Sequence, residues 1–70
     1  MAISFKPLWH LLIEKDMNKE DLKRAANISG NVISRMNKNN YINLESIEKI
    51  CIALKCMPND VFEFNIMERK

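Results

Sequence analysis

The 70-residue chain has little of what catalytic, metal-binding or membrane-spanning proteins usually contain. It has one histidine, His10, and two cysteines, Cys51 and Cys56, which form no CxxC pair. We therefore expect reduced cysteines in a cytoplasmic protein, with no metal and no other cofactor. No apolar run approaches the roughly 18 residues of a membrane span, and the N-terminus does not follow the pattern of a secretory leader.

Glycine and proline are also scarce, with one and two residues, whereas 47% of the residues are hydrophobic. This composition favours one compact helical domain over residues 1–70. A chain of this length buries only about 60% of its unfolded surface, so the monomer is expected to be marginal and a homodimer is predicted. The sequence shows no histidine–cysteine–acid grouping, no glycine-rich phosphate loop and no carboxylate pair that can be argued to lie in a cleft, so an enzyme is not predicted.

Charge is distributed unevenly, although the net charge is only +2. Residues 17–43 carry five basic and two acidic side chains, a net charge of +3, whereas residues 44–68 carry two basic and five acidic ones, a net charge of −3. Residues 29–40 contain no acid. This asymmetry predicts that a polyanion is drawn to one side of the domain; an ordinary solvated surface is the alternative.

Residues 18–39 have the signals of two short helices joined by a tight turn. Asn18 is suited to capping the first helix, whose predicted inward residues are Leu22, Ala25 and Ala26. Asn27 then tolerates the positive φ at which many helices end, and Ser29 is suited to capping the second helix. Ile33 and Met36 are predicted to point inward from that helix. The arrangement is a helix-turn-helix, whose second helix enters a DNA major groove.

The motif Ile-Ser-x-x-x-Ile-Ser-Arg-Met over residues 28–36 resembles the Val-Ser-x-x-x-Ile-Ser-Arg-Leu pattern of phage repressors of the Cro and cI type, the XRE family. The apolar-periodic run 44–54 is similar to the helix that closes those domains. Together the two segments extend the resemblance over residues 17–64.

The resemblance implies an all-α, lambda-repressor-like domain, a compact bundle of five short helices. Their predicted bounds are about 5–15, 18–26, 30–37, 44–55 and 58–64, followed by a tail at 65–70. In the fourth helix the predicted inward stripe is Leu44, Ile47, Ile50, Cys51 and Leu54.

The resemblance also implies a sequence-specific regulator of transcription, in particular a repressor, that binds double-stranded DNA. Residues four apart on the second helix of the motif share a face, and these are the usual base readers of the family. The predicted base contacts are Asn31, Ser34 and Arg35. The predicted phosphate contacts, at the helix N-termini and the exit loop, are Asn18, Lys19, Ser29, Gly30, Lys38, Asn39 and Asn40.

Three positions depart from the family pattern. Gly30 replaces a longer residue that often contacts DNA, Lys23 stands where a small residue is usual, and Asn27 replaces a common glycine. Arg35 also has a structural alternative, as a surface partner of some acid.

The competing function is a protein-interaction or antitoxin-like accessory module that uses the same fold without strong DNA binding. Apolar residues outside the predicted core would then matter most, and they are also the dimer candidates: Ile52, Phe64, Ile66 and Met67. No ligand-binding domain is visible in 70 residues, so no small-molecule effector is predicted.

Overall fold

The computed structural model describes residues 2–66 and shows four α-helices and one short β-ribbon. The helices are α1 (Lys6–Glu14), α2 (Lys19–Ala26), α3 (Gly30–Asn37) and α4 (Leu44–Leu54). The strands are β1 (Ile3–Ser4) and β2 (Glu63–Phe64), which pair antiparallel with Ile3 opposite Phe64. The bounds of the first four predicted helices are therefore confirmed to within one residue at each end.

The predicted fifth helix over residues 58–64 is wrong. Pro58–Asp60 form a single 3₁₀ turn, and the chain then becomes extended as β2. Asp60 stabilises the start of this turn, because its carboxylate accepts a hydrogen bond from the Met57 N–H at 3.1 Å. The turn does not propagate because the following residues bond to the start of the chain instead, with the Asn65 N–H donating to the Ala2 carbonyl at 2.7 Å.

One hydrophobic core joins β1, the four helices and Val61, which follows the 3₁₀ turn. Its fully buried side chains come from both chain ends as well as from the helices: Phe5, Leu8, Leu22, Met36, Ile50 and Val61. Helix α2 packs chiefly on α4, and the 3₁₀ turn packs on α1 and α4. The core therefore holds α3 on the α2 side of the domain, with its other side turned to solvent.

Two predicted core residues lie outside the core. Leu44 is 79% exposed because the buried side of α4 is rotated toward Ser46, which is 8% exposed. Ala25 is exposed because α2 presents Leu22 and Ala26, one turn apart, to the core. The prediction that Ile52 departs from the buried stripe is confirmed, since its side chain is 70% exposed.

Candidate nucleic-acid interface

Three polar residues shape the corner between α2 and α3. The Asn18 side chain accepts from the Asp21 N–H at 2.8 Å while Asp21 accepts from the Asn18 N–H at 3.1 Å, a reciprocal capping box. Asn27 ends α2 at φ 56° and ψ 47°, in the left-handed region that asparagine tolerates. Ser29 then caps α3, accepting from the Val32 N–H at 3.3 Å. These contacts confirm the predicted roles of all three residues in local structure.

Helix α3 turns a polar and basic side outward. Met36 is fully buried, and Val32 and Ile33 are half-buried, which fixes the rotation of the helix about its axis. The outward positions are all exposed, as predicted: Gly30, Asn31, Ser34 and Arg35 on the helix, and Lys38 at its end. Together they form a surface with hydrogen-bond donors, two cations and no carboxylate.

Arg35 is held by the loop that follows α3. Its Nε and Nη2 atoms donate to the Tyr41 carbonyl at 3.2 and 3.1 Å. The arginine lies along an open groove of about 420 Å³ that is also lined by Asn31, Tyr41 and Asn43. Its partner is therefore a backbone carbonyl, rather than the acidic side chain considered as the structural alternative.

Lys19, at the start of α2, is engaged within the protein. Its Nζ atom donates to the Asn37 side-chain oxygen at 2.6 Å and lies 4.3 Å from the centroid of the Trp9 ring. A cation over an indole face is favourable, so these contacts hold the ammonium at a point where α1, α2 and α3 meet. A phosphate at this position would add to, or replace, contacts that already exist.

Two asparagines predicted to bind phosphate also shape the exit loop. Asn39 adopts φ 55°, and its side-chain oxygen accepts from the Phe5 N–H at 3.3 Å. Asn40 is half-buried, and its N–H donates to the Arg35 carbonyl at 2.9 Å. The exposed cation of the loop is Lys38. The charge of this stretch and the contacts that hold its conformation therefore come from different residues.

Gly30 leaves the N-terminus of α3 bare. A Cβ atom placed there would meet no atom of residues 2–66 within 4 Å, so packing among these residues does not require glycine. The first backbone N–H groups of a helix carry partial positive charge and are suited to an anion. The missing side chain therefore gives a ligand closer access to this helix end.

The acids nearest to the corner are paired with neighbouring cations. Glu20 lies 3.2 Å from the Lys23 ammonium, and Asp21 lies 3.0 Å from the Arg24 guanidinium. Such surface pairs add little to stability, about 0–1 kcal/mol each. They reduce the negative charge that α2 presents beside α3. The pair with Glu20 also explains how Lys23 is accommodated where a small residue is usual, with its ammonium carried outward.

The cysteines are half-buried thiols at the end of α4. Burial raises the pKa of Cys51, and burial together with the neighbouring Cys51 raises the pKa of Cys56 from 9.0 to about 11. Both thiols are therefore protonated near neutral pH, a state that is a poor nucleophile and a poor metal ligand. Within residues 2–66, no three acidic, histidine or cysteine side chains cluster as a metal site.

The dimer candidates that the structure describes are exposed, but they lie on different elements. Ile52 projects from α4, Phe64 is 53% exposed on β2, and Ile66 is 72% exposed after it. Met67 lies outside the described residues. Across the described chain, no helix has both the length and the apolar character needed to cross a membrane.

Sequence reasoning missed two features of this surface. The role of Tyr41 could not be read from residue type, because a backbone carbonyl makes the contact. The Trp9–Lys19 contact joins residues on different helices. The only signal for it in the sequence is that an aromatic ring and a cation can pair.

Comparison with known proteins finds similarity over most of the chain. The family model for the Cro/C1-type HTH DNA-binding domain matches residues 7–66. The crystal structure of the transcriptional regulator VanUg is similar at 34% sequence identity and a TM-score of 0.85, covering 89% of this chain and 83% of that one. No curated protein matches the chain.

Proposed function

The chain belongs to the family of Cro/C1-type helix-turn-helix DNA-binding domains, and from that membership we propose that it is a sequence-specific transcriptional regulator that reads the major groove with α3. The similar solved structure is that of a transcriptional regulator, which supports a role in transcription. Repression is the expected direction, from the resemblance to phage repressors. Neither catalysis nor a small-molecule effector forms part of the proposal.

The outward side of α3 is the observation that carries the proposal. Asn31, Ser34 and Arg35 are exposed together on a helix whose opposite side is anchored by the buried Met36. In a major groove, asparagine pairs with N6 and N7 of adenine and arginine with O6 and N7 of guanine. Ser34 can add one hydrogen bond, and the half-buried Val32 could contact a thymine methyl group.

Phosphate contacts would fix the position of α3 in the groove without reading sequence. Lys38 supplies an exposed cation at the end of the helix, and the bare N-terminus at Gly30 supplies backbone N–H groups. Ser29 and Asn18 use their side-chain oxygens as helix caps, which leaves their other polar groups for phosphate. The remaining proposed phosphate contacts are Lys19, Asn39 and Asn40.

A homodimer would place two α3 helices in successive major grooves. Family geometry requires half-sites about one helical turn, roughly 34 Å, apart. The exposed apolar side chains of Ile52, Phe64 and Ile66 are the proposed source of the dimer contact, together with Met67. Such a dimer would double the number of phosphate contacts and would read a two-fold symmetric operator.

A second candidate function rests on α4. Leu44 and Ile52 are 79% and 70% exposed on its outward side, beside the exposed carboxylates of Glu45 and Glu48. Exposed aliphatic side chains rimmed by charge are typical of protein contacts. A protein-interaction or antitoxin-like accessory module would use this surface and would be insensitive to changes on α3.

The test is binding to DNA from the region upstream of the protein's own coding sequence, beside a scrambled duplex, at several salt concentrations. The wild-type protein should prefer the upstream duplex, and its affinity should fall with salt. Asn31→Ala combined with Arg35→Ala should remove the preference, while Lys38→Ala should weaken binding to both duplexes and lower the salt slope by about one.

Lys55→Asn is the matched control. It removes one positive charge at the far end of α4, and asparagine tolerates the positive φ of 53° at this position. Binding should be unchanged. Absence of binding at low salt, or indifference to the Asn31 and Arg35 changes, would favour the protein-interaction function.

A further inference from the structure

The contact between Arg35 and the Tyr41 carbonyl does more than satisfy a surface side chain. An exposed arginine loses rotamer entropy when it is fixed, so most exposed arginines remain mobile. Here two donors of one guanidinium meet a single acceptor, at 3.2 and 3.1 Å. Two contacts to one atom restrict both the direction of the side chain and the plane of the guanidinium.

The acceptor is itself well anchored. On one side of Tyr41, the Asn40 N–H donates to the Arg35 carbonyl at 2.9 Å, and the Asn39 side chain accepts from the Phe5 N–H. On the other side, Asn43 caps α4 by accepting from the Ser46 N–H at 2.8 Å. The short segment that carries the Tyr41 carbonyl is therefore fixed at both ends.

The geometry leaves the reading edge of the guanidinium free. Arginine has five N–H donors, and the contact with Tyr41 uses the Nε–H and one hydrogen of Nη2. The two hydrogens of Nη1 and the second hydrogen of Nη2 donate to no acceptor within residues 2–66. Nη1 and Nη2 together form the end-on pair that fits O6 and N7 of guanine. The Tyr41 carbonyl thus occupies the Nε–Nη2 edge of the guanidinium, and the Nη1–Nη2 edge is left for a base.

We propose that the Tyr41 carbonyl is a positioning group for DNA reading: it holds Arg35 so that the end-on edge meets a guanine, and it thereby sets the base preference at that pair. The inference rests on the proposed function, in which α3 lies in the major groove. It requires only the backbone of Tyr41. The tyrosine side chain, 48% exposed, is not part of the positioning contact.

The test weakens the Tyr41 carbonyl as an acceptor and leaves every side chain unchanged. In the full chain made by chemical synthesis, Ile42 is replaced by its α-hydroxy acid, so that the Tyr41 carbonyl becomes an ester and a weaker acceptor. The Ile42 N–H that is lost donates to no acceptor within residues 2–66. The same ester placed one residue earlier, between Asn40 and Tyr41, is the matched control, and Tyr41→Ala removes the side chain while keeping the carbonyl.

Preference is measured with the duplex that the wild-type protein selects and with variants of it at the base pair lost in Arg35→Ala. The ester at position 42 should reduce the preference at that pair roughly three- to tenfold, with the salt slope unchanged. The control ester and Tyr41→Ala should retain it. Full preference in the position-42 ester, or an equal loss in either control, would overturn the proposal.

A measurement on the free protein keeps the proposal testable if the ester variant does not fold. The Nε–H of Arg35 should show restricted motion in nitrogen-15 relaxation, in contrast to that of Arg24, whose guanidinium pairs with Asp21 through Nη2 only. Equal mobility of the two would refute the positioning role. By contrast, a rigid Arg35 in a wild-type protein that selects no duplex would count against the proposed function, and with it against this inference.

Discussion

Helices α3 and α4 pack on one core but present different surfaces to solvent. The outward side of α3 is polar and has no carboxylate; its exposed side chains are those of Asn31, Ser34 and Arg35. The outward side of α4 combines two acids with two aliphatic side chains: Glu45, Glu48, Leu44 and Ile52. A polyanion fits the first surface and is repelled by the second, whereas a protein partner fits the second.

The difference separates what a fold determines from what its surface residues determine. The core fixes which positions of each helix face outward, because Met36 and Ile50 are both fully buried. It does not fix what stands at those positions. The proposed function and its alternative therefore depend on different exposed residues of one small domain, and these residues can be substituted separately.

The largest expected effect comes from placing an acid on α3. Ser34→Glu should weaken DNA binding roughly a hundredfold or more, because a like charge against phosphate or base oxygens costs several kcal/mol. Asn59→Glu adds the same charge to the exposed 3₁₀ turn and should change affinity little. Titration of one labelled duplex with both variants compares them. An equal loss in both would mean that overall charge, and not the side of the molecule, governs binding.

A smaller effect is expected on self-association when α4 is changed. Ile52→Ser should raise the dimer dissociation constant about tenfold if the exposed isoleucine is a central contact. Ile13→Ser removes an equally exposed isoleucine, 74% accessible, from α1 and serves as the control. Sedimentation equilibrium of the two variants and the wild type measures the constant. Loss of association in Ile13→Ser instead would assign the interface to α1.

The smallest effect concerns the ends of α2 and α4, which both stop at a left-handed residue. Asn27 has φ 56° and Lys55 has φ 53°, but lysine tolerates this region less well than asparagine. Lys55→Gly should therefore stabilise the fold by about 1 kcal/mol, and Asn27→Gly by only a few tenths. Urea unfolding followed by circular dichroism measures both. A larger gain at Asn27 would contradict the assignment of strain to Lys55.

The helix-turn-helix could be predicted from sequence because its signals are local. Asn18, Asn27 and Ser29 each act on backbone groups within four residues, so the predicted ends of α2 and α3 agree with the structure. The outward side of α3 followed from the same periodicity. The base-reading roles of Asn31 and Arg35 remain predictions, which the DNA-binding measurements on their alanine variants test.

What could not be predicted depends on contacts between distant residues. Residues 63 and 64 form a strand because residues 3 and 4 are there to pair with them, and no pattern within the last ten residues encodes that partner. The exposure of Leu44 has a similar cause, since the packing of α4 on α2 selects which of two adjacent stripes is buried. The contact of Arg35 with the Tyr41 carbonyl could not be predicted from residue type, because every residue has a backbone carbonyl.

The pairing of β1 with β2 also brings the two ends of the described chain together and closes the segment between them into a loop. Closing a flexible loop costs an entropy that grows slowly with its length, and the intervening helices shorten the distance to be closed once they have packed. The strand pair is therefore suited to form last, after the helical contacts that are local in sequence. With only two residues in each strand, it is also suited to open first. The two-residue strand pair would then open before any helix unfolds, while Phe5 and Val61 beside it stay buried in the core and the corner of α2 and α3 stays intact.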